Sequence, residues 1–164
     1  MDYTKLQTDI LKAAIAEDHF KKVSPFLWSD CGDDLAIVVE GFYVVFIPKT
    51  EFYLDVNKVF KNEPVKKVYN ETELRYAYPA YDTQQLRYVD PKKPPLKIFK
   101  LADNVSDDEI RVNLNFFKYF GKDYEAYHYK GHGKKKPLYV YEGGETDTFQ
   151  SFEHLVGILL PVNY

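Results

Sequence analysis

Lysines and aromatic rings alternate through residues 116–141, a combination that could bind an anionic polymer. Nine rings and six lysines lie there against two acidic residues, Asp123 and Glu125. Proteins bind single-stranded nucleic acid in this way, because rings stack on bases while cations neutralise phosphates. The segment therefore predicts weak DNA binding that is independent of sequence. The candidate nucleic-acid-binding residues are Lys118, Lys122, Lys134, Lys135 and Lys136, with Lys5 and Lys12 near the N-terminus as secondary candidates.

The same rings allow two other interpretations, and the sequence leaves both open. Alternate residues of a strand share one face, so Tyr127 and Tyr129 could be core side chains. The chain contains 15 Tyr and 12 Phe but one Met and one Trp, so rings must also supply much of its core. Alternatively, exposed Tyr and Phe could anchor a protein partner.

No metal or nucleotide motif is convincing. His128 and His132 would share a helix face, but the glycines on both sides of His132 disfavour a helix. Residues 131–134 lack the longer glycine spacing of a phosphate-binding loop, and Lys135 stands where such a loop has Ser or Thr. We expect no metal and no cofactor.

Catalytic residues are equally hard to find. Cys31 lies among acidic neighbours in residues 29–34, which should raise the pKa of its thiol and suppress the thiolate. The serines lack the turn that exposes a nucleophile in hydrolases. The sequence therefore predicts a protein that is not an enzyme, and an enzyme without a short motif remains the least favoured class.

Composition predicts a soluble globular chain. It has 164 residues, a formal net charge of −3 and a single cysteine, so no disulfide can form within it. Its apolar runs, such as residues 155–160, are too short to span a bilayer. No apolar leader follows Met1, and we expect a cytoplasmic protein.

The first half of the chain has clear local signals. Residues 3–19 have the apolar spacing of an amphipathic helix. Residues 35–39 and 42–47 are β-branched and aromatic, and Glu40 and Gly41 between them favour a hairpin turn.

A short helix is expected after Asp55, which could cap it. Residues 63–95, rich in Pro, Tyr and charge, are expected to be an irregular excursion with strand-like pieces at 65–69 and 86–89.

The second half predicts strands joined by one more helix. Asn113 is a candidate cap for a helix over 114–120, which Gly121 would end. The strands are expected at 96–101, 110–112, 124–129, 138–141 and 155–162, with a polar turn at 104–108. Together these elements predict a single α+β domain over residues 1–164, in which two main helices pack on one face of an antiparallel sheet.

Residues 110–164 resemble the end of a domain of the bacterial DNA sliding clamp, the processivity subunit of replicative polymerase. The resemblance lies in Ile-Arg-Val-Asn at 110–113, the helix predicted at 114–120, the strand around Tyr127, Pro-Leu-Tyr-Val-Tyr at 137–141 and Val-Gly-Ile-Leu-Leu-Pro-Val at 156–162. It covers about a third of the chain well and another third loosely.

The resemblance implies a non-catalytic, DNA-associated accessory or scaffold protein of DNA replication, of the kind that phages and mobile elements carry. Clamp helices face the duplex, which would favour Lys5, Lys12 and Lys118 as contacts. A clamp subunit has three such domains and this chain has room for one, so encircling DNA would require self-association. The sequence has no heptad that signals a homo-oligomer. The alternative is a protein-interaction module or inhibitor with no nucleic-acid role.

Overall fold

A computed structural model describes residues 1–68, 76–102, 109–129, 136–143 and 155–162, with the Tyr129 side chain left out. The chain divides into two compact units, Met1–Tyr69 and Asn70–Tyr164. Helices and antiparallel strands make it an α+β protein, as predicted. The single domain over residues 1–164 stays a prediction. Within the described ranges, no helix combines the length and the apolar character needed to cross a membrane.

The first unit opens with helix α1, Tyr3–Phe20, which confirms the helix predicted at 3–19. The Asp2 side chain accepts from the backbone N–H of Lys5, the usual N-terminal cap. Lys21 ends the helix in the left-handed conformation. A buried stripe of Leu6, Ile10 and Ala14 faces the core.

Three antiparallel strands follow: β1, Phe26–Cys31; β2, Asp34–Val39; and β3, Tyr43–Pro48. The predicted hairpin is confirmed in β2 and β3. Its turn has positive φ at both Glu40 and Gly41, the type I′ geometry that matches the twist of the strands. β1 was not predicted, because Trp28, Ser29 and Asp30 break the apolar alternation that marks a strand.

A 3₁₀ turn, Lys49–Glu51, and helix α2, Val56–Val59, complete the unit. Asp55 caps α2 by accepting from the N–H of Asn57, as predicted. The strand expected at 65–69 is wrong for its described residues, 65–68, which are not in a strand. Val65 instead donates its N–H to the Trp28 carbonyl and accepts from the Ser29 hydroxyl.

Six strands form the antiparallel sheet of the second unit, in the order β9-β8-β7-β4-β5-β6. They are β4, Ala77–Arg87; β5, Leu96–Leu101; β6, Glu109–Asn113; β7, Tyr124–Tyr129; β8, Leu138–Glu142; and β9, Leu155–Leu159. Beyond β9, the N–H of Val162 donates to the carbonyl of Arg111 on β6, at 2.8 Å. The segment after β9 thus contacts β6, the strand at the opposite end of this strand order.

Two predictions for this unit are wrong. Residues 63–95 are not irregular throughout, because β4 is a strand of eleven residues. The helix expected at 114–120 is a single 3₁₀ turn, Leu114–Phe117. Asn113 caps this turn, as predicted. The backbone N–H groups of Lys118 and Phe120 donate to carbonyls three residues back, which is the 3₁₀ pattern. Bulky rings also favour an α-helix less than straight-chain residues do. The polar turn expected at 104–108 lies outside the described residues.

Candidate functional site: a cleft between β4 and β7

The three predicted DNA-binding lysines of the second unit that the structure describes do not form one cluster. Lys118 and Lys122 are exposed in the segment that leads into β7, while Lys136 is half-buried just before β8. In the β7–β8 register, Tyr124 lies opposite Glu142 and His128 opposite Leu138. Lys122 and Lys136 therefore lie beyond opposite ends of this hairpin, whose paired residues Tyr124 and His128 are themselves about 14 Å apart along β7.

The remaining candidate lysines are placed as follows. Lys5 and Lys12 are exposed on α1 of the first unit, and their spacing of seven puts them on one side of the helix. Lys134 and Lys135 lie outside the described residues. DNA binding by the seven lysines stays a prediction.

Four of the nine rings of residues 116–141 are core side chains. Phe116, Tyr119, Tyr139 and Tyr141 are buried, so they cannot stack on bases. Tyr127, for which the core interpretation was made together with Tyr129, is half-buried, and the Tyr129 side chain lies outside the described residues. His128 is buried as well, with Nδ1 3.3 Å from the Pro137 carbonyl oxygen.

Exposed rings lie instead on and beside β4, where the sequence led us to expect irregular chain. Tyr76 precedes the strand, and Tyr78 and Tyr81 on it are 50% and 52% exposed. β4 has a neighbouring strand on both sides, β5 and β7, so these rings project from the faces of the sheet rather than from an edge. The sequence feature that could have indicated these exposed rings is the density of Tyr around Pro79 in residues 76–81. The same feature fits a strand with solvated faces.

Strands β4 and β7 separate before either of them ends. Their register runs from Ala77 opposite Tyr129 to Ala80 opposite Ala126, and pairing stops there. β4 nevertheless continues to Arg87, and β7 begins two residues earlier, at Tyr124. The parting of the strands opens a cleft of about 500 Å³, which is within the size range of ligand sites.

Residues from three strands line this cleft: Pro79, Ala80, Tyr81 and Asp82 of β4, Phe99 of β5, and Tyr124, Glu125, Ala126 and Tyr127 of β7. Register and alternation divide them between the two faces of the sheet. Pro79, Tyr81, Glu125 and Tyr127 share one face, and Asp82, Phe99 and Tyr124 share the other. The first set is more exposed than the second.

A bulge in β4 sets the position of Asp82. Asp82 lies opposite Phe99 and Leu86 lies opposite Lys97, so β4 has two more residues than β5 in this stretch. Gln84 adopts a positive φ of 61° and donates its N–H to Asp82 Oδ1 at 2.9 Å. Oδ2 is thereby left to face Lys97.

Lys97 lies beside the cleft and contacts two of its lining residues, Asp82 and Tyr124. Its Nζ lies 2.7 Å from Asp82 Oδ2 and donates to the Tyr124 hydroxyl at 2.6 Å. The Lys97 and Asp82 side chains are only 18% and 16% exposed. Nζ also lies 5.0 Å from the ring centre of Phe117 and 5.2 Å from that of Tyr124, within cation–π range.

The charge state of Lys97 argues against a nucleophilic lysine. Burial lowers the pKa of Lys97, but hydrogen bonds to Asp82 and Tyr124 outweigh it, and the pKa is raised. The ammonium form therefore persists at neutral pH, whereas a lysine nucleophile needs a lowered pKa.

Two carboxylates line the cleft, those of Asp82 and Glu125. Asp82 is paired with Lys97, and Glu125 Oε2 accepts from the Tyr127 hydroxyl at 3.3 Å. Walls that combine carboxylates with aromatic rings favour a cationic or neutral ligand over an anionic one.

Other reactive groups give no competing site. Burial, followed by Asp30 and Asp34, raises the pKa of the Cys31 thiol, which agrees with the unreactive thiol predicted from its neighbours. Among the residues that the structure describes, no three His, Cys, Asp or Glu side chains are grouped to hold a metal ion.

Comparisons with protein-family models, with curated proteins and with solved structures found no match. The clamp resemblance therefore stays a prediction.

Proposed function

We propose that the protein is a non-catalytic binding module that holds a segment of a partner polypeptide at the cleft between β4 and β7. The observation that carries the proposal is the parting of the two strands beside the exposed Tyr81 ring. Tyrosine is enriched at the centre of protein interfaces, because its ring buries a large area at low entropic cost while its hydroxyl bonds a partner.

A polypeptide suits this cleft better than nucleic acid does. The carboxylates of Asp82 and Glu125 would repel phosphate, and Lys97 beside the cleft is already paired with Asp82. Pairing of β4 with β7 stops at Ala80 and Ala126, so the strand backbones beyond this point face a gap rather than each other. An extended segment could offer hydrogen bonds there, as peptides do when they add to a sheet.

The test is selection of peptides from an unbiased random library displayed on phage, with the full chain as bait. We expect enriched peptides whose binding weakens at least tenfold in Tyr81→Ala and in Tyr127→Ala, the loss typical of an interface anchor. Tyr88→Ala is the matched control, because Tyr88 is exposed but lies outside the cleft. Peptides that bind all three variants equally, or the absence of any enriched peptide, would refute the proposal.

DNA association is the second candidate function, and the exposure of Lys118, Lys122, Lys5 and Lys12 favours it. Engaging about four lysines would give a slope near −3 in log affinity against log salt. Anisotropy of labelled single- and double-stranded oligonucleotides from low to moderate salt would measure it. Binding that is lost in Lys118→Glu, together with failed peptide selection, would assign the DNA role. Light scattering with and without DNA would then test the encircling arrangement, which a strict monomer excludes.

A further inference from the structure

We infer that the partner segment carries a phosphorylated side chain, which binds to a cluster of Arg87, Lys100 and Arg111 on one face of β4, β5 and β6. This inference rests on the proposed function and adds a second contact that phosphorylation of the partner would control. The cluster lies beside the cleft, on the other side of β4 from β7.

The charged residues of β4, β5 and β6 are divided between the two faces of the sheet. Register and alternation place Asp82 and Lys97 on one face, where they pair with each other. The opposite face holds three cations and one carboxylate, those of Arg87, Lys100, Arg111 and Glu109. Three positive charges and one negative charge leave an excess of +2 on this face of the three strands.

Glu109 balances one of the three cations. Its Oε1 accepts from Arg87 Nη2 at 3.1 Å, and its Oε2 lies 2.9 Å from Arg87 Nη1, the paired geometry that a guanidinium forms with a carboxylate. Burial raises the pKa of Glu109, but hydrogen bonds from Arg87 and Arg111 outweigh it, and the pKa is lowered. The carboxylate is therefore ionised at neutral pH, and its single charge matches that of Arg87.

Arg111 and Lys100 supply the excess charge. Arg111 donates from Nη2 to Glu109 Oε2 at 3.3 Å, a longer contact than either of those that Arg87 makes. A guanidinium has five N–H donors, so most of those of Arg111 remain for a ligand. Lys100 lies directly opposite Glu109 in the β5–β6 register. The Arg87 and Arg111 side chains are 41% and 37% exposed, so a ligand can reach both.

A phosphate monoester matches the cluster better than other biological anions do. It carries a charge of about −1.5 to −2 at pH 7 and three strong acceptor oxygens, whereas a carboxylate or a phosphodiester has a single charge. Guanidinium groups bind it through parallel hydrogen bonds. Three cations on three neighbouring strands also form a compact site, while a nucleic-acid backbone needs cations along a row of successive phosphates.

Tyr81 connects the cluster with the cleft. Its half-exposed ring lines the cleft, and in the β4–β5 register it lies directly opposite Lys100, with Cα atoms about 5 Å apart. A polypeptide that packs on Tyr81 can therefore place a neighbouring side chain on the cluster. The carboxylates of the cleft and the cations of the cluster together predict a segment that is neutral or basic over the cleft and phosphorylated beside it.

The experiment uses an array of peptides with phosphoserine fixed at the centre and varied flanking residues, probed with the full chain. A duplicate array carries serine at the centre. We expect peptides that bind only when phosphorylated. The best of them, titrated into the ¹⁵N-labelled protein, should shift the amides of Tyr81, Lys100 and Arg111. Inorganic phosphate should bind at least about tenfold more weakly than this peptide, because it lacks the contact with Tyr81.

The unaltered protein can already overturn the inference. It fails if no peptide depends on its phosphate, or if the shifts are centred away from the cluster. Inorganic phosphate that binds as tightly as the peptide would assign the cluster to a small anion and would also refute a phosphorylated partner. None of these outcomes requires a variant to fold.

Variants then test the charges. Arg111→Gln should weaken the phosphopeptide about tenfold, since it removes one charge-assisted contact. Lys92→Gln is the matched control, because it removes the same charge at an exposed position in the turn after β4. Glu109→Gln removes the carboxylate that competes with the phosphate and should strengthen binding. Unchanged or weaker binding in Glu109→Gln would contradict the excess of charge as its cause.

The two levels of the proposal fail differently. Phage-selected peptides that depend on Tyr81, together with an array that shows no dependence on phosphate, would support the polypeptide-binding module and refute the phosphate site. Phosphopeptides that depend on Arg111 but not on Tyr81 would show an anion site that does not serve the cleft, which refutes the inference. Failed selection together with a silent array would refute both levels.

Discussion

Asp82 and Lys97 form an ion pair across neighbouring strands although they are not opposite each other in the register. Asp82 lies opposite Phe99 and Lys97 lies opposite Leu86, yet their charged atoms are 2.7 Å apart. The contact is diagonal, of the kind that long side chains can make between neighbouring strands. The bulge positions the carboxylate as well, because Gln84 within it donates its N–H to Asp82 Oδ1.

Removing one partner of this pair should destabilise the fold. Lys97→Met leaves a mostly buried Asp82 without its cation and should lower the free energy of unfolding by about 2–4 kcal/mol. In the double variant that combines Lys97→Met with Asp82→Asn, the side-chain amide oxygen at position 82 can still accept from the Gln84 N–H. At least ~1 kcal/mol of the lost stability should therefore return. Urea unfolding measures the two single variants, Lys97→Met and Asp82→Asn, and the double variant. Lys92→Met, at an exposed position, should change stability by less than about 0.5 kcal/mol. Strictly additive single and double variants would contradict the coupling.

Gly143 should not tolerate a side chain. A Cβ built there would lie 2.8 Å from both the carbonyl carbon and the oxygen of Asp123, which accepts the Gly143 N–H. Both are backbone atoms next to β7, so neither can move without disturbing the strand. Gly143→Ala should cost about 1–3 kcal/mol in urea unfolding. A variant as stable as the parent would mean that the two chain segments can separate without loss.

The β2–β3 turn can be improved. Glu40 has a φ of 53°, in the left-handed region that Asn and Gly adopt more readily than Glu does. Glu40→Asn should therefore raise the free energy of unfolding by about 0.5–1 kcal/mol, without altering the fold. Glu40→Val, at the same position, should lower it. Thermal unfolding that ranks the two variants in the opposite order would contradict the turn geometry.

Tyr141 has a buried hydroxyl without a hydrogen-bond partner among the described residues. Leaving such a group unpaired costs about 1–3 kcal/mol. Tyr141→Phe removes the cost and keeps the ring that packs on Tyr127, so stability should be unchanged or higher by up to about 1 kcal/mol. Destabilisation by more than this in urea unfolding would reveal a partner for the hydroxyl.

Alkaline pH should unfold the protein. Burial raises the pKa of Tyr43, Tyr124 and Tyr141, and the pKa of Lys97 is also raised. A raised folded-state pKa means that the folded protein holds its proton more tightly. The associated stability is complete below the unfolded-state pKa, near 10, and is lost as the pH rises above it. Urea unfolding should give constant stability from about pH 7 to 9 and a steep decline above pH 10. A flat profile to pH 12 would contradict this prediction.

The sequence predicted elements whose signals are local. The apolar stripe of α1, the Glu40 and Gly41 turn, and the Asp55 and Asn113 caps each act within a few residues. β4 was missed because its exposed tyrosines and Pro79 do not produce an alternating buried face, and its partners come from distant parts of the chain. The cleft could not be predicted at all, since it depends on where the β4 and β7 register stops.

The Val162 hydrogen bond to Arg111 has a consequence for colloidal stability. β6 pairs with β5 along one side, and a bare strand edge is a template on which a foreign chain can assemble. Val162 occupies an acceptor on the other side of β6, and the preceding Pro161 has no N–H with which to extend a ladder. The returning segment thus shields this margin of the sheet without becoming a strand itself. Detachment of this segment would expose the edge of β6 to other chains and so favour aggregation.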